Sequence, residues 1–172
     1  MFELQPTLTG KLLKLRPLQP QDYAALYLAA SDPKIWEQHP NSDRYKEEVF
    51  KGYFEGALEC GGALVILDAG TDEIIGSSRY YGLNEETREI EIGWTFLTTK
   101  YWGGTYNREL KYLMLSHAFK YVDQVLFFVG PNNLRSRKAV EKLGAAYIGT
   151  RSRFGGDSVV YRLSKADYTL GP

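Results

Sequence analysis

From Ala63 onward, apolar and polar positions alternate in three short runs separated by polar turns. ALVILDA (Ala63–Ala69) leads into GTDE, IIGSSRYYGL (Ile74–Leu83) into NEET, and REIEIGWTFL (Arg88–Leu97) ends at Thr98. A period of two sends side chains to the two faces of a strand, and short polar turns join antiparallel neighbours. The three runs therefore predict an antiparallel meander. On the third, alternation places Glu89, Glu91, Gly93 and Thr95 on one face and Ile90, Ile92, Trp94 and Phe96 on the other. Upstream, KLLKLRPL (Lys11–Leu18) alternates and predicts a first strand. QPQDYAALYLAA follows, with Tyr23, Leu26, Tyr27 and Ala30 at helical spacing behind Pro20. Residues 31–43 are irregular, with room for a short helical turn. RYKEEVFKGYFEGALE puts Val49, Tyr53 and Phe54 on one side of a second helix that ends near Gly61 and Gly62.

The order changes after Leu97. TTKYWGGTYNREL, from Thr98 to Leu110, turns through a glycine pair directly into a helix predicted to run to about Val122. QVLFFVG (Gln124–Gly130) is a continuous apolar run, the pattern of a buried central strand. PNNLRSRKAVEKLGA reads as a helix stopped at Gly144, and AAYIGTRSRF with DSVVYRLS as a closing hairpin around Gly155 and Gly156. Strand, helix, strand between Glu89 and Gly130 requires a parallel pair, because only a crossover returns the chain in the same direction. The expected fold is α/β (α+β), one domain over residues 1–172, with a mixed and mostly antiparallel sheet flanked by helices.

Composition narrows the function. A chain of 172 residues, 44% apolar, suits one ordinary core. Twenty-one basic and 21 acidic side chains cancel, which argues against an electrostatic grip on nucleic acid. The charge is unevenly placed: residues 1–86 carry 8 Lys/Arg and 14 Asp/Glu, residues 87–172 carry 13 and 7. The basic half suits an anionic ligand, and the acidic half favours a cationic one. Cys60 is the only cysteine, so no internal disulfide forms, which fits a reducing compartment. No segment has signal-peptide or membrane-span character, and the expectation is a cytoplasmic protein without a membrane partner. His39 and His117 lack the neighbours of a metal site, and Cys60 lacks an adjacent base.

The glycine pair raises the chemical question. A helix start offers unpaired N–H groups and a partial positive charge, and glycine lets an anion approach that backbone. The amides concerned belong to Gly103, Gly104, Thr105, Tyr106 and Asn107. Neither a GK[ST] nor a G-x-G-x-x-G spacing is present, and a turn device is the plain alternative. A second helix start lies at Asn133, with Arg135, Arg137, Lys138 and Lys142 on the same short helix. Here the plain alternative is a solvated cationic helix capped by Asn133. Both starts follow strands expected to be parallel neighbours, where open α/β sheets bind ligands.

Taken together, EIGWTFLTTKYWGGTYNRELKYLMLSHAF and NNLRSRKAVEKLGA resemble the GNAT superfamily of N-acetyltransferases. Within it the chain is similar to the RimJ/RimL-like branch that acetylates ribosomal-protein N-termini. LKLRPLQPQDYAALY and VVYRLSKADY resemble that branch's first and last elements, so the likeness covers almost the whole chain. The resemblance implies acetyl-CoA as co-substrate, no metal, and direct attack by a bound amine in a ternary complex. It implies a parallel strand pair that splays to admit pantetheine beside Phe96 and Leu97. The family's pyrophosphate loop, Q/R-x-x-G-x-G/A, falls on Lys100, Gly103 and Thr105: Gly103 fits, while Lys100 replaces the usual Gln or Arg and Thr105 the last small residue. The resemblance places its main-chain donors between Trp102 and Asn107. Asn133 matches the asparagine that bonds the pantetheine arm, and the basic helix with Arg137 is expected near the phosphates. The family's usual tyrosine acid maps to Val140, which cannot donate. Ser136 matches a serine of the ribosomal branch, and Glu91 a frequent base in the E-I-G strand. The alternative for Glu89 and Glu91 is a solvated sheet face near Arg79 or Arg88. Trp36, His39, Tyr80 and Tyr81 are the candidates to line the acceptor groove, and a place in the core is the plain alternative for the aromatics. A non-catalytic acyl-CoA-binding module is the rival reading. The partners expected are an amine acceptor and, at most, a second copy of the chain.

Overall fold

The computed structural model describes all 172 residues. Its strands are β1 Leu8–Thr9, β2 Leu13–Pro17, β3 Ala63–Asp68, β4 Ile74–Asn84, β5 Glu89–Leu97, β6 Gln124–Val129, β7 Ala146–Arg153 and β8 Gly156–Ser164. Its helices are α1 Tyr23–Ala30, α2 Pro33–Trp36, α3 Glu47–Glu59, α4 Thr105–Ala118 and α5 Leu134–Lys142. One sheet holds all eight strands in the order β1-β2-β3-β4-β5-β6-β8-β7. Only β5 and β6 are parallel; every other pair is antiparallel. No helix is long and apolar enough to cross a membrane.

Two cores lie on the two sheet faces. Leu110, Met114 and Leu115 of α4 and Val140 of α5 pack with Leu13, Ile66, Ile90, Ile92, Val125 and Leu163. Leu26, Trp36, Phe50, Tyr53 and Phe54 of α1–α3 pack with Val65 and Phe96. Ile90 and Ile92 therefore face one way and Phe96 the other, which corrects the strict alternation expected along this strand. The cause is a bulge. Ser77 of β4 opposes Phe96 and Arg79 opposes Gly93, so β5 carries one residue more than its partner between those pairs. Trp94 absorbs the excess at φ +53°, a strained value for a residue with a side chain. Beyond it, Thr95 turns toward α4 while Trp94 and Phe96 turn toward α2 and α3.

Helix α4 ends at Ala118, four residues short of the Val122 limit. The N–H groups of Asp123 and Gln124 both bond the Arg88 carbonyl, so the chain has already turned toward β6. At its other end α4 is clasped to the sheet. The Glu109 carboxylate accepts from the N–H groups of Lys11, Leu12 and Leu13 at 2.7, 2.8 and 2.9 Å. Gly10 leaves it room, since a Cβ there would lie 2.5 Å from the Glu109 Cδ. Bonds to a charged acceptor are the stronger kind. Glu109→Gln is expected to lose about 2 kcal/mol in urea unfolding, because an amide oxygen replaces only part of what the carboxylate accepts.

Candidate active site

The junction between β5 and α4 presents an arc of free donors. A short turn at Thr99–Tyr101 ends the strand, and Gly103 and Gly104 follow at φ +116° and +99°. A Cβ at either glycine would meet nothing within 4 Å, so backbone conformation and not space requires glycine here. Trp102 N–H bonds the Thr99 carbonyl, and Arg108 N–H makes the first bond of the helix, to Gly104. None of the five backbone N–H groups between them, from Gly103 to Asn107, donates to any group in the chain. These donors sit at the positive end of a 14-residue helix.

The arc stands at the mouth of a cleft. Strands β5 and β6 are paired only at Glu89–Gln124, Ile90–Val125 and Glu91–Leu126. Beyond Glu91 they part, while β6 stays paired to β8 as far as Val129. Phe96 and Leu97 are buried at the parted end of β5. The Leu97 carbonyl accepts from the Trp102 indole at 3.0 Å, and the Arg135 guanidinium stacks on Trp102 at 3.9 Å. This stack joins the segments that follow the two diverging strands.

Helix α5 starts beside it. Buried Asn133 caps the helix, its Oδ1 accepting from the Ser136 N–H at 3.3 Å. The Ser136 hydroxyl makes no hydrogen bond of its own. Arg137 donates to the Tyr161 hydroxyl at 3.1 Å and to the Pro131 carbonyl at 3.0 Å, so it braces α5 against β8. Val140 is buried in the core.

Lys111 is the residue that sequence reasoning passed over. Its ammonium lies between the parted strands, 3.5 Å from Thr95 Oγ1 on β5 and 5.6 Å from the Phe127 ring on β6. It is 7% exposed and pairs with no carboxylate. Burial pushes it down to about 8. A signal was present in the sequence. Position 111 precedes Met114, Leu115 and Ala118 by three, four and seven, which is the buried stripe of α4.

The opposite side of the bulge is aromatic and cationic. Glu91 is 4% exposed and bonded by Arg153, so the solvated-face alternative fails for it, and its partner is neither Arg79 nor Arg88. Arg88 pairs with Asp123 instead. Burial raises the Glu91 carboxyl above its ordinary range although Arg153 opposes the shift. The Tyr53 hydroxyl bonds the carbonyl of bulged Trp94 at 2.8 Å. Arg79 and Arg44 lie over the Tyr53 ring at 5.1 and 4.8 Å. Of the four groove residues expected, Trp36, His39 and Tyr81 lie on this side. Tyr80 does not: its hydroxyl is buried under α4, bonded to the Met114 carbonyl at 2.6 Å. Burial, with Arg44 beside it, pushes the His39 imidazole down to about 3. His117 is tied to the Glu3 carbonyl, and Cys60 Sγ to that of Ala57.

A parallel pair that parts at mid-sheet, with free amides at the start of the crossover helix, has the shape and the donors to suit an extended ligand with an anionic end. The comparisons name the class. The chain belongs to the acetyltransferase (GNAT) domain family, whose model matches residues 13–146. A solved structure assigned as an acetyltransferase is 30% identical, with a TM-score of 0.78 over 94% of this chain and 87% of that one. RimJ of Mycobacterium smegmatis, solved in complex with CoA-disulfide, is 18% identical, with a TM-score of 0.73 over 97% and 91%. The ribosomal-protein-S5-alanine acetyltransferase of Vibrio fischeri is 16% identical, with a TM-score of 0.69 over 95% and 99%. These last two share the fold. No curated protein sequence matches the chain.

Proposed function

We propose that this protein transfers the acetyl group of acetyl-CoA to a primary amine by direct attack in a ternary complex. The observation that carries the reading is the run of five unsatisfied amides, Gly103 to Asn107, at the mouth of the parted strands. They are the donors a diphosphate needs, and they do not depend on side-chain identity. The cleft beside Phe96 and Leu97 takes the pantetheine, with Asn133 at its far wall. The amine nitrogen forms its bond to the thioester carbon, the carbon–sulfur bond breaks, and the thiolate leaves. Glu91, its carboxyl raised by burial, accepts the proton the amine must lose. The unbonded Ser136 hydroxyl supplies the donor that Val140 cannot. Lys111 places a positive charge in the cleft, where negative charge develops on oxygen and sulfur. The fold shared with RimJ and the S5-alanine acetyltransferase supports a peptide N-terminus as one acceptor class.

Thiol release from acetyl-CoA with a panel of amines and peptides tests this. Turnover on an amine is the expected result; tight CoA binding with none on any acceptor favours the non-catalytic module, which Val140 at the tyrosine position would suit. Within an active enzyme, Glu91→Gln is expected to lower kcat about 100-fold with KM for acetyl-CoA unchanged. Ser136→Ala is expected to lower it less than 10-fold, since CoA thiolate is already a fair leaving group.

A further inference from the structure

We propose that the acceptor amine also carries an oxyanion, a carboxylate or a phosphate, bound between Arg44 and Arg79 beside the bulge of β5. That the ligand is an acceptor rests on the transferase reading; the anion site itself rests on the two guanidiniums. Arg44 is 8% exposed, and its guanidinium donates to no group in the chain. Its Nη1 is sealed from solvent without a partner. No carboxylate lies within ion-pairing distance of it. Arg79, 5% exposed, makes a single bond, from Nη2 to the Tyr53 carbonyl at 3.3 Å. Two guanidiniums offer about ten N–H donors, and here one is used.

Exposed Asp43, next in the chain, attracts Arg44 through space but forms no ion pair with it, so the buried guanidinium stays unpaired. The one buried carboxylate nearby, Glu91, is already bonded by Arg153. His39, next to Arg44, is held neutral. The acidic residues of the first half, such as Glu47, Glu48 and Glu55 on α3, are exposed and lie outside this cluster. The acidic first half of the sequence thus points to a cation, and the interior to an anion. Aromatic rings wall the site: Arg44 lies over Trp36 at 5.2 Å and Arg79 over Trp94 at 4.5 Å. Removed from water, a planar guanidinium bonds an oxyanion strongly and in fixed geometry.

The site is close to the chemistry. Arg79 is the sheet partner of Gly93, and the strands part just after Glu91. Arg44 belongs to the segment between α2 and α3, which leans on the end of β6 where Pro40 covers Gly130.

The test compares matched pairs: free amino acids against their amides, O-phosphoethanolamine against ethanolamine, and peptides with Asp against Asn at the second position. Two readouts are taken, thiol release and calorimetric binding to CoA-saturated protein. The expected result is at least a 10-fold advantage in kcat/KM for the anionic member of one pair. The winning pair tells carboxylate from phosphate. In Arg44→Gln the ratio falls to about one while KM for acetyl-CoA stays within about twofold. Arg44→Lys keeps the charge and loses the planar fork, and it retains only part of the preference. Equal or better use of neutral members by the wild type, or a preference that survives in Arg44→Gln, overturns the inference and leaves the transferase reading standing. Tight binding of anionic members without turnover upholds the site and overturns that reading. Failure of every anionic member to bind overturns the inference.

Discussion

Replacing Gly103 by proline is expected to weaken acetyl-CoA binding at least 100-fold, about 2.7 kcal/mol or more. Gly103 stands at φ +116°, and proline is fixed near −65°. The substitution removes one of the five free N–H groups and turns its neighbours away from a common centre. A hydrogen bond to a charged acceptor is worth about 1.5–3 kcal/mol, so one lost and one misdirected account for the figure. The rest of the fold is expected to survive. Gly103 is exposed, a Cβ there meets nothing, and Trp102 is already extended as a residue before proline must be. Gly103→Ala keeps the N–H but strains the backbone, and it is expected to cost about 10-fold, or roughly 1.4 kcal/mol. Isothermal titration with acetyl-CoA reads both variants. Wild-type affinity in the proline variant would remove the diphosphate from this loop.

The second large effect concerns Lys111. Lys111→Met is expected to raise stability at pH 7 by about 3 kcal/mol. The lysine falls from an ordinary 10.5 to about 8 on burial, roughly 2.5 units at about 1.36 kcal/mol each. The sign follows from proton counting. Between about pH 8 and 10.5 the unfolded chain holds a proton on this lysine that the folded chain has shed, so unfolding takes up a proton. Stability from this group therefore rises as pH climbs through that window. The penalty is fully present below about pH 8, where the folded protein must bury the charge. In Lys111→Met the penalty and its pH dependence both disappear. Urea unfolding of both proteins at pH 7 and pH 10 measures it: the gap between them narrows at the higher pH. A gap that stays constant would place the ammonium in contact with solvent. If the charge also serves the thioester, the stabilised variant turns over more slowly with KM for acetyl-CoA unchanged.

Much of the candidate site was legible because it depends on chain-local features. Gly103 and Gly104 between a strand and a helix announce a left-handed turn and free amides wherever the segment lies. Asn133 ahead of a helical run announces a cap, and the cap is what it makes. The cationic face of α5 has partners that its own spacing does not record. Arg137, expected near the phosphates, gives two of its donors to Tyr161, 24 residues away on β8, and to Pro131. Glu91 shows the same limit. The sequence allowed a solvated carboxylate near Arg79 or Arg88, and the partner came from β7, 62 residues downstream.

The alternation of residues 63–97, the glycine pair and the crossover pattern determined by themselves a mixed sheet with one parallel pair and an anion-ready helix start. They could do so because periodicity, turn chemistry and helix ends are local properties of a chain. Only the tertiary structure decided that β5 bulges at Trp94, that β5 and β6 part after Glu91, and that Lys111, Arg44 and Arg79 are shut away from water. Those outcomes depend on which distant side chains compete for the same space and the same hydrogen bonds, and no spacing along the chain records that competition.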